Sequence, residues 1–190
     1  AMLLDSLFRK RGIRGRVEIS LSTPEPQPLP VAGPALGSAV VSMLEQKEIA
    51  YHPQRKTASV DAATHEIVFE DGTRKGYDLL IAVPPHRPPA VVRASPLAGP
   101  SGWAPVDAHT LATASPRVYA IGDVTAIALF DDKMLPKAGV FAHAEAEVVA
   151  HNIAAEIRGR DERRSFDGHG YCFLEVGGGR AGSANGDFYA

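Results

Sequence analysis

Cysteine is nearly absent from these 190 residues. Cys172 stands alone, which excludes a disulfide within the chain and leaves any pairing to a cysteine outside it. Long apolar runs are missing as well: Leu79 to Pro85 falls far short of the roughly 20 residues that cross a bilayer. The N-terminus lacks the charged-then-apolar layout of a secretory leader. Neither sign of charge dominates, because 20 Lys and Arg stand against 22 Asp and Glu, for a net charge of -2. The densest basic run is Arg9-Lys10-Arg11, so the electrostatic footprint of a partner for nucleic acid or for an anionic membrane is lacking. A cytoplasmic setting is expected, or a membrane face reached through some other segment. No internal repeat and no low-complexity tract is present.

What the sequence does hold is enough apolar material, 45% of residues, to bury the core of one or two small domains. Its 18 glycines and 15 prolines lie between apolar segments and read as turns, not disorder. Leu3, Leu4, Leu7 and Phe8 have helical spacing, with a stop at Arg11-Gly12 and no start signal ahead of them. Val17, Ile19 and Leu21 alternate as a strand does, before Pro24, Pro26, Pro28 and Pro30 forbid regular structure. A second helix follows, with Val40, Val41 and Leu44 as its buried stripe and Lys47 near its end. From Thr57 to Val83 strands are expected: Ile67 to Phe69 lead into an Asp71-Gly72 turn, and Leu79 to Val83 reads as a fully buried strand stopped by prolines. Val118 to Ile121 reads as another. Ala142, Ala146, Val149, Ala150, Ile153 and Ile157 mark one face of a long helix that Gly159 should end. His143 and His151 lie on that helix with Glu145 and Glu147 off their face, a pattern that makes no metal site. The polar stretch Arg160 to Asp167 is expected to be a boundary, followed by a short strand at Tyr171 to Val176 and three glycines.

Strands alternating with helices indicate an α/β fold, three-layered, with partial Rossmann-like domains and an antiparallel strand insertion. No G-x-G-x-x-G occurs to cradle a dinucleotide phosphate; the nearest glycine pair, Gly33 and Gly37, has the wrong spacing and reads as a loop.

Val118-Tyr119-Ala120-Ile121-Gly122-Asp123 carries the most chemical information. A strand that ends in Gly-Asp can bring its backbone close to a ligand and offer a carboxylate to sugar-like hydroxyls, although a plain turn has the same residues. Farther on, Leu135-Pro136-Lys137-Ala138-Gly139 leads straight into the long helix, whose free N–H groups and dipole favour an electron-rich edge. Lys137 either adds a positive charge there or is a solvated loop residue. Cys172, in an apolar strand, is either a small packed side chain or a redox thiol.

The run Thr110-Leu111-Ala112-Thr113 with Pro116 to Asp123 resembles the second flavin-binding motif of the pyridine nucleotide-disulfide oxidoreductase superfamily, and Pro136-Lys137-Ala138-Gly139 resembles that superfamily in the right order. Two further stretches, Leu80 to Pro89 with His86, and Tyr171 to Gly182 with Cys172, resemble the sulfide:quinone oxidoreductase and flavocytochrome c sulfide dehydrogenase branch. The resemblance implies FAD as cofactor, with Gly122 and Asp123 at its ribityl chain and Lys137, Ala138 and Gly139 at its pyrimidine end. It implies that Cys172 is catalytic, pairing with an upstream cysteine, taking up sulfide sulfur as a persulfide and passing electrons to the flavin, with a quinone or cytochrome as acceptor. It divides the chain into the remainder of an NAD(P)-binding-like domain (1–90), the C-terminal part of an FAD-binding domain (91–160) and the start of a C-terminal domain (161–190). A full-length member would carry a first Rossmann unit ahead of Ala1, so tight FAD binding by the chain alone is not expected, and unpaired sheet edges are expected to favour a homo-oligomer. A membrane-peripheral parent fits a quinone partner. Two alternatives stay open: an NADH-oxidising flavoenzyme of the type II NADH dehydrogenase kind, with Glu25 at a ribose hydroxyl and Cys172 merely packed, and a non-catalytic binding module.

Overall fold

In a computed structural model, residues 1–129 and 133–189 are described, and the chain divides into two compact units. The first comprises Ala1–Val83 with Phe173–Ala184; the second comprises Pro84–Cys172 with the residues from Asn185 onward.

The first unit opens with α1 (Met2–Lys10), which stops where Gly12 takes a left-handed φ of 67°. Its inner face is narrower than the leucine spacing suggests. Leu4 and Phe8 pack against the core, but Leu3 and Leu7 are exposed, and the fully buried neighbour of Met2 is Asp5. The alternating strand is present as β1 (Ile19–Ser22) and pairs in parallel with β2 (Ile49–His52), Ile19 opposite Ile49. Nothing in the sequence reading marks β2, whose four residues have only Ile49 buried. Between them lies α2 (Pro34–Glu45), with Val40 and Leu44 inward. The loop expected at Gly33 to Gly37 is corrected here, because the helix begins at Pro34. Proline is tolerated at the first helical position, where its missing N–H has no intrahelical partner. Met2, Ile19, Val40, Leu44 and Ile49 form this unit's core.

A three-stranded antiparallel sheet follows: β3 (Thr57–Asp61), β4 (Glu66–Phe69) and β5 (Arg74–Gly76), with the expected turn at Gly72, φ 81°. The buried strand expected at Leu79 to Val83 is not there. Leu79, Ile81 and Val83 are 71%, 65% and 82% exposed, and none of the described strands pairs with them. An apolar run signals a wish for burial, but strand geometry needs neighbours to bond.

The second unit begins with the short α3 (Ala90–Arg93), then β6 (Ala104–Pro105), which pairs in parallel with β7 (Thr125–Ala126). The strand expected at Val118 to Ile121 reduces to one bridge between Tyr119 and Ala112. Its backbone instead folds back locally: Thr113 N–H donates to Val118 O, Ala120 N–H to Leu111 O, and both Leu111 and Arg117 take a φ of 61°. Val118 and Ile121 are 36% exposed in consequence.

Next comes α4 (Gly139–Ile157), ended by Gly159 in the left-handed conformation as expected. Its buried face is rotated from the aliphatic stripe. Phe141, Glu145, Val148, Val149, Asn152 and Ala155 are buried, whereas Ile153 and Ile157 are exposed. Two polar residues hold the inner face because they have partners. Asn152 donates to Arg164 O and accepts from Arg164 N–H, and this seats the following segment with Phe166 fully buried against Phe141, Leu111 and Ile127. The chain closes with β8 (His169–Gly177) and β9 (Arg180–Asp187), paired across Gly178-Gly179, both at positive φ as a two-residue hairpin turn requires.

The mixture of two parallel pairs, an antiparallel insertion and flanking helices is the α/β, Rossmann-like architecture expected from the sequence.

Candidate functional site

Gly122 opens a single 3-10 turn, Gly122–Val124, immediately before β7. It needs to be glycine on two counts: its φ is 70°, and an added Cβ would lie 3.1 Å from the Cβ of Ala142 on α4. Its peptide is held at both ends. The Gly122 N–H donates to Glu145 Oε2, and the Thr125 hydroxyl donates to Gly122 O at 2.9 Å. The next residue, Asp123, is exposed, and its charge acts on both Lys137 and Glu145.

Leu135 anchors the following segment in the core, and Pro136 and Lys137 bring the chain to Ala138, which precedes the first turn of α4. No side chain caps that helix start; the Phe141 N–H turns back to Ala138 O, and the N–H groups ahead of it, with the positive end of the dipole, suit an anionic or electron-rich group. Lys137 is half-buried. Its Nζ donates to Thr125 O at 2.8 Å and sits 3.8 Å from the ring centroid of Trp103, a cation–π contact. Loss of water pulls its pKa down, against the attraction of Asp123 and Glu145. One backbone acceptor leaves further donors on the ammonium for a ligand.

Glu145 is 1% exposed. Burial pushes its carboxyl above the usual range and Asp123 adds to the effect, while the Gly122 N–H and the charge of Lys137 oppose it. A buried carboxylate with a raised pKa beside a half-buried lysine is a frequent mark of a working site. Tyr189 is also drawn in: its phenol, bonded to Ala108 O at 2.8 Å, is pushed up to about 12 by burial and by the charges of Glu145, Asp107 and Asp167.

The structure therefore brings Gly122, Asp123, Lys137, Ala138 and Gly139 to the start of α4 together with Trp103, which the sequence reading passes over, and Glu145, which it names only in setting aside a metal site. Glu145 had a signal: it lies four residues after Phe141 and four before Val149, a carboxylate within an apolar face. Trp103 had none, being 34 residues from the lysine it touches. Cys172 lies on β8 as a free thiol, exposed and not packed in the core. Glu25 is exposed three residues beyond the end of β1, and His86 is exposed in the irregular proline-rich segment. His143 meets Glu147 at the surface of α4, 3.6 Å apart.

No family model matches the chain. It is similar to the mitochondrial sulfide:quinone oxidoreductase of Schizosaccharomyces pombe, 27% identical over 188 residues, and to that of Mus musculus, 25% identical over 200 residues. These alignments cover 94% and 99% of this chain but 39% and 42% of the relatives, so the chain spans about two fifths of the length of the curated proteins it matches. Among solved structures it shares its fold with the sulfide:quinone oxidoreductase of Aquifex aeolicus, at a TM-score of 0.82 and 20% identity over 97% of this chain and 49% of that one. A ferredoxin reductase of Rhodopseudomonas palustris matches at a TM-score of 0.62 and 19% identity, over 92% of this chain and 42% of that one. The resemblance read from the motifs is met to this extent: the chain is similar to sulfide:quinone oxidoreductases along nearly its whole length, which is consistent with a relative of the pyridine nucleotide-disulfide oxidoreductases.

Proposed function

We propose that this chain is part of an FAD-dependent oxidoreductase of the sulfide:quinone oxidoreductase kind, in which it supplies one half of the flavin site. The observation that supports this reading best is the cluster at the start of α4: an exposed carboxylate on a glycine turn, an uncapped helix N-terminus and a half-buried lysine. This donor set fits a flavin. Asp123 would accept hydrogen bonds from a polyhydroxylated ribityl chain, while Lys137 and the N–H groups of Ala138 and Gly139 at the helix start would favour negative charge at the pyrimidine end. When bound, the flavin supplies a two-electron acceptor.

Cys172 is assigned to the sulfur chemistry, because its thiol is exposed and open to a small thiol or sulfide. A quinone or cytochrome would receive the electrons. A quinone dissolves in a membrane, so the parent protein would work at a membrane face; among the described residues no helix is long and apolar enough to cross one. In this reading, residues 1–90 belong to the NAD(P)-binding-like domain, 91–160 to the FAD-binding domain and 161–190 to a C-terminal domain. Self-association through sheet edges is a further part of the proposal, and solution scattering that gives a compact monomer would remove it.

Titrating the chain with FAD, followed by flavin fluorescence and visible absorbance, tests the site. Saturable binding that Asp123→Ala weakens about tenfold or more is expected, the loss of charge-assisted hydrogen bonds. Equal affinity in the variant would detach Asp123 from the cofactor. A second reading, an NADH-oxidising flavoenzyme, draws on the exposed Glu25 beyond β1; a hydride-transfer signal from NADH that Glu25→Ala diminishes would favour it.

A further inference from the structure

Four of the six residues on the inner face of α4 are apolar, and a carboxylate among them is costly unless a partner compensates. Glu145 has one: the backbone N–H of Gly122, reached by Oε2 from a side chain that is 1% exposed. One helical turn earlier, Ala142 leaves no room for a side chain on the same glycine: an added Cβ would lie 3.1 Å from the Cβ of Ala142. Thr125 holds the carbonyl of that glycine from the other side. Gly122 is therefore held by hydrogen bonds at both its N–H and its C=O, the first of them from α4.

The geometry points to Glu145 as a positioning residue, which pins the Gly122-Asp123 turn to α4 and thereby aims the Asp123 carboxylate at a polyhydroxylated ligand without touching that ligand itself. The aim at a ligand rests on the flavin reading above; the pinning does not. Asp123 is exposed and is the residue that follows the pinned peptide, so the direction of its side chain is inherited from Gly122. A residue free to rotate there would spend ordering entropy each time a ligand bound, and a pinned one has already lost it. The charged neighbours of Glu145 are Asp123 on the turn, Lys137 ahead of the helix and, on the C-terminal segment, the phenol of Tyr189, which feels the charge of Glu145. Lys137 keeps its own anchors, Thr125 O and Trp103, so removing Glu145 leaves it tethered.

Two variants separate the role from mere packing. Glu145→Gln keeps an oxygen acceptor and the size of the side chain; Glu145→Leu keeps only bulk. In the 15N-labelled chain, the Gly122 amide proton is expected to resonate downfield, to be protected from exchange and to shift with pH as Glu145 titrates. Glu145→Gln should retain the protection and lose the pH dependence. Glu145→Leu should lose both, with protection falling about tenfold and the backbone order parameter of Asp123 dropping. In the FAD titration, Glu145→Leu should weaken binding about tenfold, and Glu145→Gln should restore most of it. A folded Glu145→Leu variant whose Gly122 protection and Asp123 order match the unsubstituted chain overturns the pinning, whether or not FAD binds. Lost order with unchanged FAD affinity overturns the aim at the ligand. Absence of FAD binding by the unsubstituted chain, with the amide signature intact, overturns the flavin reading and with it that aim, while the pinning stands.

Discussion

Among the described residues, each unit of this protein buries one carboxylate on the inner face of a helix, and the two are furnished in opposite ways. Asp5 on α1 receives Arg9 Nε at 2.9 Å, Arg14 Nε at 2.8 Å and Lys47 Nζ at 3.4 Å. Burial alone would push its carboxyl up, but the hydrogen bonds from Arg14, Arg9 and Lys47, with the charge of Arg9, hold it below the usual range. Glu145 on α4 has one backbone N–H and the charge of Lys137, and there burial wins. Arg14 also donates to the backbone oxygens of Val17, Lys47 and Glu48, so the Asp5 hub ties α1 to the chain where it enters both strands of the β1–β2 pair. The difference teaches what each carboxylate is for. Three cations around one anion compensate its burial and make an anchor, whereas a buried carboxylate left under-compensated is the mark of a candidate site.

The largest expected effect breaks the anchor. Asp5→Ala strands Arg14 and Lys47, whose side chains are only 11% and 19% exposed, and should cost about 3 kcal/mol or more in urea unfolding. Glu145→Gln should be close to neutral or slightly stabilising near neutral pH, since it relieves a buried charge and keeps an acceptor. The pH dependence has opposite signs for the two. The depressed pKa of Asp5 contributes stability that is present above its unfolded value of 3.8 and is lost as pH falls through the lower folded value. The raised pKa of Glu145 contributes stability that is full below 4.5 and is lost as pH rises through the higher folded value. Urea midpoints measured from acid to neutral pH should show that alkaline-side decline in the unsubstituted chain and not in Glu145→Gln. A decline that survives the substitution would assign the tension to another group.

A smaller effect sharpens the Glu145 side of the comparison. Gly122→Ala forces an L-residue into a φ of 70° and sets a Cβ 3.1 Å from Ala142, for a cost of about 1–2 kcal/mol in thermal or urea unfolding. Because the Gly122 N–H must then move relative to Glu145, the substitution should also flatten the pH dependence that Glu145 imposes on its amide. Gly12→Ala, at a φ of 67° with open space around its Cβ, is the control for backbone strain without the contact.

How much of this was legible in the sequence follows from what periodicity can report. Helices α1, α2 and α4, the β4–β5 turn at Gly72 and the glycine stop at Gly159 were all written locally, in spacing and turn chemistry. The strands expected at Leu79 to Val83 and Val118 to Ile121 were not formed, because pairing depends on neighbours that no local pattern encodes. The inner face of α4 was misplaced for a related reason. A reading that counts aliphatic residues puts Ile153 and Ile157 inside, but Asn152 takes the inner position by bonding the backbone of Arg164, and Glu145 by bonding that of Gly122. Both partners are distant in sequence. Of the candidate site, the residues in motifs were visible and Glu145 left a signal in the apolar face of its helix, while the bonds that Glu145 and Trp103 make came only with the fold.

The smallest expected effect reads the charge of Glu145 from outside. Tyr189 donates its hydroxyl to Ala108 O and packs its ring edge-on against His109 and Phe166, at centroid distances of 5.4 and 5.6 Å. Its phenol is pushed up to about 12 chiefly by burial, then by Glu145, Asp107 and Asp167. Of the five tyrosines, this one should ionise late in an ultraviolet pH titration. Since the folded value lies above the unfolded 10.0, the stability it contributes is full below pH 10 and is lost as pH rises through about 12. Glu145→Gln removes one of the negative charges and should bring the titration down by a fraction of a unit, whereas Asp5→Asn should leave it in place. If the Tyr189 titration answers to neither variant, burial with the charges of Asp107 and Asp167 accounts for it, and the charge of Glu145 is confined to the Gly122 turn.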